Sequence, residues 1–356
     1  MCYAFVIIEV SYFLKFIPAY ANRTPYEYSE TNPSPSTKSF GAPGIFIRSQ
    51  SLGLPRTELS LPIMTVLAPY DISIIIVSYN TCNYLARCLE SLICSRQPRT
   101  QIIVVDNASQ DASLEMVKRR FNPVIAIANS DNAGFAAANN QGIAASQGRY
   151  LYFLNPDTEV YPGGLETMIH YMDSHPDIGI AGTALVNPDG SPQPSVEYRY
   201  PGEKHAKKTL AGLKGEIAWV LGASMIARAE AVKAIGGFDD TFFLYGEEQD
   251  LCLRIRRSGW AIGYVPDAVV MHWGGKSERH HTSAHVWEKK FRAELKFYRT
   301  HYPASATRRI CMENVAQAIW RIATIHLTLP FCHETSLLEN KLEKYRTALK
   351  IFSSRQ

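Results

Sequence analysis

Cysteine is sparse and nowhere paired. The seven cysteines (Cys2, Cys82, Cys88, Cys94, Cys252, Cys311 and Cys332) are odd in number, and no two of them form a CxxC. That excludes a disulfide scaffold and points to a reduced, cytosolic chain. Cys88 and Cys252 sit in apolar helical patterns and read as small core residues. Phosphate-binding glycine motifs are missing as well: no GxGxxG follows the first strand-like run, and no GxxxxGK[ST] occurs anywhere. The usual dinucleotide and P-loop sites are thereby excluded. A net charge of +4 is too small to imply nucleic acid. A long hydrophobic run is absent too. Tyr3 to Tyr20 is apolar but broken by Glu9 and Lys15, with no basic region before it and no small-residue cleavage site after it. It makes a poor signal peptide and a marginal span.

What is present is ordinary globular composition, 46% hydrophobic and 20% charged over 356 residues. The stretch "RTPYEYSETNPSPSTKSFGAPG" is rich in Pro, Ser and Thr and reads as disordered. Residues 1–69 are therefore expected to be a disordered tail or a misassigned start, with Met64 as the alternative first residue.

From Asp71 the pattern changes. "DISIIIVSYN" (71–80) is a short continuous run of Ile and Val, the mark of a strand covered on both faces. An amphipathic helix follows, with Leu85, Cys88, Leu89, Leu92 and Ile93 at helical spacing. "TQIIVVDNAS" (100–109) is a second strand. "DASLEMVKRRF" is a second helix, with Asp111 a candidate N-cap. "VIAIANS" is a third strand, "NAGFAAANNQGIAAS" an Ala-rich helix, and "RYLYFLN" a fourth strand. Strand and helix alternate, so the fold class is α/β with right-handed crossovers. Each strand ends in polar residues: Ser78-Tyr79-Asn80, Asp106-Asn107, Asn129 to Asn132, and Asn155-Pro156-Asp157. Ligands of open α/β sheets bind outside the carboxyl ends of the strands, so these four ends predict a cleft.

The second half has its own cluster. An apolar strand-like piece spans Trp219 to Ile226, a helix starts near Ala229, and "GGFD" is a turn. "GEEQDLCLRIRRSG" is an amphipathic helix with Leu251, Leu253 and Ile255 partly buried and Gly259 as its stop. Glu247, Glu248 and Asp250 stand at its N-terminus. They fit plain dipole-matched capping or a base facing the cleft, and local pattern does not separate the two. "WAIGYVPDAVVMHWGG" ends an apolar run at His272, which fits a packed histidine or a ligand.

Together and in this order, "IIIVSYN", "IVVDNAS", "NAGFAAANN", "FLNPDTEV", "LGASMIARAEAVKAIGGFDDTFFLYGEEQDLCLRI" and "VVMHWGG" resemble the family 2 glycosyltransferases, in the rhamnosyltransferase-like branch of O-antigen and cell-wall type. The resemblance covers about Asp71 to Arg299. It implies the GT-A fold, with a mixed, mostly parallel sheet flanked by helices. It implies a domain over 70–300, its nucleotide half at 70–160 and acceptor half at 161–300, before a helical extension at 301–356. It implies transfer from a nucleotide-sugar with inversion, assisted by Mg²⁺ or Mn²⁺. Asp157 stands where the family's metal-binding Asp-x-Asp ends, and His272 matches the downstream metal histidine. Asn155 replaces the first carboxylate, which is a departure. Glu248 falls at the family's base, with Asp250 the runner-up. Asp106 would contact the nucleotide base, with Ser78, Tyr79, Asn80, Asn107 and Asn132 around the nucleoside. Arg254 would support the acids or the diphosphate, or form a surface ion pair. Gly222 and Ala223 would let donor and acceptor approach the backbone, and "VNPDGSPQPS" (186–195) would border the acceptor.

The implied donor is a dTDP- or UDP-sugar, dTDP-rhamnose first. The implied acceptor is a glycan or lipid-linked sugar at the inner face of a membrane, with cytoplasmic location. Nine basic residues (276, 279, 289, 290, 292, 296, 299, 308, 309) face three glutamates (278, 288, 294) in this part of the chain. They fit an anionic lipid surface or phosphorylated acceptor, and equally a solvated helix face. "AIWRIATIHLTLPF" (318–331) fits peripheral membrane contact or a helix packed on the domain. Two other functions compete: a nucleotidyltransferase, and a nucleotide-sugar-binding protein without turnover.

Overall fold

The computed structural model describes residues 68–93, 98–274, 283–331 and 336–354. The expected tail with its Met64 start, Cys2, Cys94, Cys332, and the charges at 276, 278 and 279 lie outside the described residues.

The four apolar runs of the first half are the strands β1 (Tyr70–Ser78), β2 (Thr100–Asp106), β3 (Ile125–Ala128) and β4 (Gly148–Leu154), parallel and ordered β3-β2-β1-β4. Alternation along β1 explains why it must be covered twice. Ile72, Ile74 and Ile76 face one layer with Leu85, Cys88 and Leu89 of α1 (Cys82–Ile93) and Val117 of α2 (Ser113–Arg120). Ile75 and Val77 face the other with Ala136, Ala138 and Ile143 of α3 (Phe135–Ala145). Each fully buried Ile or Leu contributes on the order of 1.5–3 kcal/mol of transfer free energy. The N-cap of α2 is Ala112, not Asp111. The Asp111 carboxylate instead accepts from the Ser113 N–H and, across to α1, from the Cys82 N–H, so one side chain ties two helix starts.

The sheet then turns mixed. β5 (Thr158–Val160) and α4 (Gly164–Ser174) lead to β6 (Ile178–Val186), with β7 (Pro192–Gln193) on its edge. The strand expected over 219–226 is split at Leu221-Gly222-Ala223. β9 (Trp219–Val220) pairs only with β8 (Val196–Glu197), while β10 (Ser224–Arg228) inserts antiparallel between β4 and β6. After α5 (Ala229–Ala234) and α6 (Glu247–Arg257), β11 (Ala261–His272) runs parallel to β6 and antiparallel to β5. Six strands of this nine-stranded sheet point one way, and β10, β5 and β7 run against them.

Leu251, Leu253 and Ile255 are fully rather than partly buried. The reason is a third layer. Leu251 and Ile255 pack toward the sheet, whereas Leu253 packs against α7 (Ser283–His301), α8 (Ala304–Thr328) and α9 (Ser336–Ser353) with Phe242, Phe297 and Tyr298. A helix covered on both sides cannot be amphipathic in the simple sense. No helix among the described residues is long and apolar enough to cross a membrane.

Leu253→Ala is expected to cost about 2–5 kcal/mol and to expose α7–α9 to protease before the sheet unfolds. Unchanged proteolysis of that region would show that Leu253 is not what fastens it.

Candidate active site

The chain directions place one edge of the sheet at the carboxyl ends of β1, β2, β3, β4, β6 and β11, where antiparallel β10 begins. Here the polar strand ends meet. Ser78 is buried with its Oγ 3.0 Å from Thr81 Oγ1; Tyr79 beside it is half-buried. Asn80 adopts φ 55° and its Oδ1 accepts from the Gln110 N–H, while Ala108 adopts φ 64°. Left-handed backbone at a non-glycine residue is strained, and strain collects where a loop is held for function. Asp106 accepts from the Ser109 N–H through Oδ2. Its Oδ1 is buried without a hydrogen-bond partner, as suits an acceptor meant for a ligand.

Asn107 is different. Its amide donates to Asn132 Oδ1 and to the Gly134 carbonyl, and its Oδ1 accepts from Asn129 and from the Ala133 N–H. With every position filled by protein, Asn107 organises the β3–α3 loop rather than reaching into the cleft. Asn132 belongs to the same network, its Oδ1 also accepting from the Gly134 N–H. Gly134 has φ 87°, and a Cβ there would stand 2.7 Å from the Phe243 carbonyl oxygen, so only glycine admits the 243 loop.

The β5–β11 pairing sets His272 opposite Thr158, one residue from Asp157. His272 Nε2 lies 3.5 Å from Asp157 Oδ1, and both side chains are buried. The histidine tautomer can be read from its other partner. Gln193 donates through its amide to the His272 carbonyl, so its Oε1 faces His272 Nδ1 at 3.0 Å. An amide oxygen only accepts, so Nδ1 carries a proton, and Nε2, turned toward the carboxylate, is the nitrogen left to ligate. Two acceptors so placed fit a cation between them; ligands of a Mg²⁺-sized ion with bonds of about 2.1 Å stand about 3 Å apart. Among the described residues no group of three His, Cys, Asp or Glu could hold a metal. The protein offers a pair, leaving diphosphate and water to complete the shell. Gln193 was not foreseen from sequence. Its loop, expected to border the acceptor, also reaches the histidine.

Asn155 donates its N–H to the Ala223 carbonyl. Beside Ala223, Gly222 leaves open space, the nearest side-chain atom to a Cβ there being Glu248 Cβ at 3.9 Å. Two residues of backbone thus separate the Asp157 end of the cleft from the acids of α6.

Those acids divide into two kinds. Glu247 and Glu248 are 4% and 8% exposed, and each has one oxygen without a hydrogen-bond partner. Burial pushes both carboxyls up. Glu247 rises furthest, being pressed also by the Glu248 charge, while Glu248 is steadied by its own and the Gly246 N–H, a Glu247 hydrogen bond and the Lys290 charge. Burial and mutual repulsion thus favour keeping a proton on the pair, and the donors around Glu248 favour the charge there. Asp250 is opposite in kind. Burial alone would raise it, but hydrogen bonds from His301 and Arg254 hold it below the ordinary carboxylate range. Its Oδ1 is 2.8 Å from His301 Nε2, and its Oδ2 is 2.8 Å from Arg254 Nε. Arg254 Nη1 also donates to the Ile235 and Gly237 carbonyls. Both Asp250 oxygens and the Arg254 guanidinium are thus engaged by protein groups, and Arg254 is no surface ion pair. Both hold the base of α6. His301 escaped the sequence reading because it lies 51 residues away, in a helix with no motif around it.

The strand ends, the Asp157–His272 pair and the glutamates at a helix start are thus gathered at one edge of the sheet. A family model for glycosyl transferase family 2 matches residues 73–236. The chain carries a family 2 glycosyltransferase domain. Among curated relatives, N-acetylglucosaminyl-diphospho-decaprenol L-rhamnosyltransferase of Mycobacterium tuberculosis is 26% identical over 243 residues, 60% of this chain and 79% of that protein. The pre-mycofactocin glycosyltransferase of the same species is 28% identical over 211 residues, 57% of this chain and 42% of that one. Among solved structures, mannosyltransferase PcManGT from Pyrobaculum calidifontis, in complex with GDP-Man and Mn²⁺, superposes with a TM-score of 0.50 at 14% identity. It covers 80% of this chain and 89% of its own. GalNAc-T7 with UDP, GalNAc and Mn²⁺ gives 0.51 at 18% identity, over 80% and 56%. These likenesses establish the GT-A fold. Over the matched residues the chain is similar to the family 2 glycosyltransferases, the rhamnosyltransferases among them.

Asp250→Asn in this glycosyltransferase is expected to cost about 3–5 kcal/mol at pH 7, because it breaks a buried charge pair. The Asp250 contribution is present above its unfolded pKa of about 3.9 and is lost as the pH falls through the lower folded value. Glu247 has the opposite sign. Its folded pKa lies above the unfolded value of about 4.3, so stability falls as the pH rises from there toward the folded pKa. Glu247→Gln is therefore expected to raise Tm at pH 8 and to give no gain at pH 4. Equal shifts at both pH values would mean that Glu247 does not hold a proton.

Proposed function

We propose that the chain transfers a sugar, with inversion, from a nucleoside-diphosphate donor to a lipid-linked sugar acceptor in cell-surface polysaccharide synthesis. The donor is taken as dTDP-rhamnose, and the reaction as assisted by a divalent cation. The observation that carries this reading is the meeting, across Gly222 and Ala223, of an Asp157–His272 pair and a charged Glu248. The relative that acts as an L-rhamnosyltransferase on an N-acetylglucosaminyl-diphospho-lipid supports the choice of sugar and acceptor.

In this reading Asp157 and His272 hold Mg²⁺ or Mn²⁺, and Gln193 keeps the histidine in the tautomer that can ligate. The ion, when bound, stabilises negative charge on the departing diphosphate. Asp106 binds the base of the nucleotide through its unpartnered oxygen, with Ser78, Tyr79, Asn80 and Asn132 near the nucleoside. Gly222 lacks a side chain where donor and acceptor must come together. Glu248 takes the proton from the acceptor hydroxyl as that oxygen attacks the anomeric carbon. One base acting in a single displacement opposite the leaving group inverts the configuration. A carboxyl raised by burial is a better base than an ordinary glutamate.

Thermal shift tests the donor site. Residues 64–356 are expected to be stabilised by dTDP or UDP with Mn²⁺ and not with EDTA, and Asp157→Ala should lose the effect. Glu248→Gln should keep the shift and lose about 10²–10⁴-fold in turnover. Near-normal turnover in Glu248→Gln would remove it as the base.

Peripheral membrane contact through α8 belongs to the same reading. Met312, Ile319, Trp320 and Leu327 are exposed along that helix, and Arg308 and Arg309 stand near its start. Flotation with anionic vesicles should recover the wild type, and Ile319→Glu with Trp320→Glu should abolish recovery. Equal flotation of the variant would place the contact elsewhere.

A further inference from the structure

A second charged cluster lies beside the acids, on the C-terminal helices. Lys290 of α7 places its Nζ 4.8 Å from the ring centre of Tyr245 and 5.6 Å from that of Trp287. Lys344 of α9 places its Nζ 4.2 Å from the same Trp287 ring. One indole is thus shared by two ammonium groups from different helices. Both lysines are half-buried, and neither has a carboxylate within 4.0 Å among the described residues.

Such an arrangement is costly as it stands. Burial pushes Lys344 down; Glu294 pulls against this, and the Lys290 charge adds to it. Glu294 is one carboxylate for two ammonium groups, and burial raises its carboxyl although the Tyr298 hydroxyl and both lysine charges pull it back. Cation–π contact returns on the order of 0.5–2 kcal/mol per ammonium, but it does not relieve the repulsion between the two. An anion with oxygens at both ends of a short bridge does, and a diphosphate is such an anion.

The position supplies the second constraint. Tyr245, under Lys290, has φ 71° and leads directly through Gly246 into Glu247 and Glu248. Lys290 is near enough that its charge acts on Glu248. The cluster therefore borders the base, whereas the Asp157–His272 pair belongs to the sheet edge beyond Gly222. Trp287, stacked on Phe291 with ring centres 5.6 Å apart, and Tyr245 set an apolar wall beside the two charges.

We propose that Lys290 and Lys344, with Trp287 and Tyr245, form the subsite for the diphosphate of a lipid-linked acceptor, distinct from the donor's diphosphate position. This rests on the transferase reading for the word acceptor, but its test needs neither turnover nor a nucleotide. Binding of farnesyl diphosphate and of farnesol to residues 64–356 is measured by calorimetry in EDTA, at low and moderate salt. The wild type should bind the diphosphate more tightly than the alcohol, with affinity falling as salt rises. The double variant Lys290→Gln, Lys344→Gln should weaken the diphosphate at least tenfold and leave the alcohol unchanged. Lys350→Gln, whose ammonium lies 3.8 Å from Glu288 at the surface, should behave as wild type. If the double variant does not fold, each single variant should weaken the diphosphate about threefold. Unchanged diphosphate affinity in the lysine variants, or equal loss for the alcohol, would overturn the subsite. So would displacement of farnesyl diphosphate by dTDP or UDP in the absence of metal, since the anion would then occupy the donor's place. Failure of nucleotide to bind in the presence of Mn²⁺ would count against the transferase reading alone.

Discussion

Asp250 is almost fully enclosed, and its two oxygens are held from opposite directions, by Arg254 of its own helix and by His301 at the end of α7. Each partner is itself anchored. Arg254 reaches the carbonyls of Ile235 and Gly237 in the turn after α5. His301 accepts from Arg257 at Nδ1, 2.9 Å away, and since arginine only donates, Nε2 carries the proton given to Asp250. The turn, the helix and the C-terminal layer thus share one buried anion. A charge of this kind adds little net stability over an apolar replacement, but breaking it leaves an uncompensated group. Its consequence is positional. The start of α6 cannot shift without unseating His301, so the orientation of Glu247 and Glu248 is fixed from the far side of the helix.

That fixed orientation lets two neighbouring carboxyls divide their duties. Like charges side by side at low exposure cannot both ionise cheaply, so one proton is retained between them. The backbone N–H groups at the helix start and the Lys290 charge favour the anion on Glu248. Glu247, with fewer such donors and more burial, keeps the proton. Asp250, held as an anion below the ordinary carboxylate range, is a weaker base than its neighbours. In the proposed reaction the base is thus chosen by environment rather than by residue type, since all three are acids within four positions of one helix.

The first half of the fold was legible because burial on both faces leaves a local trace: continuous Ile and Val runs, each followed by a helical pattern with polar residues between. Asp157 and His272 were visible through motif order. The split at 221–223 was not, because "WVLGASMI" is uniformly apolar and only pairing with different partners breaks it into β9 and β10. Nor were the structural roles of Asn107 and Arg254, since an amide or guanidinium near a motif reads the same whether it faces a ligand or a carbonyl. The contacts of Gln193 with His272, of His301 with Asp250, and of Lys290 and Lys344 with one indole left no signal of their pairing. Each acts across a gap of tens of residues, and a single sequence carries no record of which distant side chain it will meet.

The departure at Asn155 can be understood on the same grounds. What that position does within the fold is done by its main chain: the N–H meets the Ala223 carbonyl, and the carbonyl accepts from Thr158 Oγ1. Asparagine provides these as well as aspartate does. The side chain is then free to vary so long as the cation is held elsewhere, and in the proposed site His272, turned by Gln193 with Nε2 toward Asp157, would supply the second donor without a second carboxylate. A pair with one carboxylate and one imidazole repels an incoming diphosphate less than two carboxylates would. The cost is weaker attraction for the bare ion, so in this arrangement metal and nucleotide should hold one another in the cleft, each completing the site for the other.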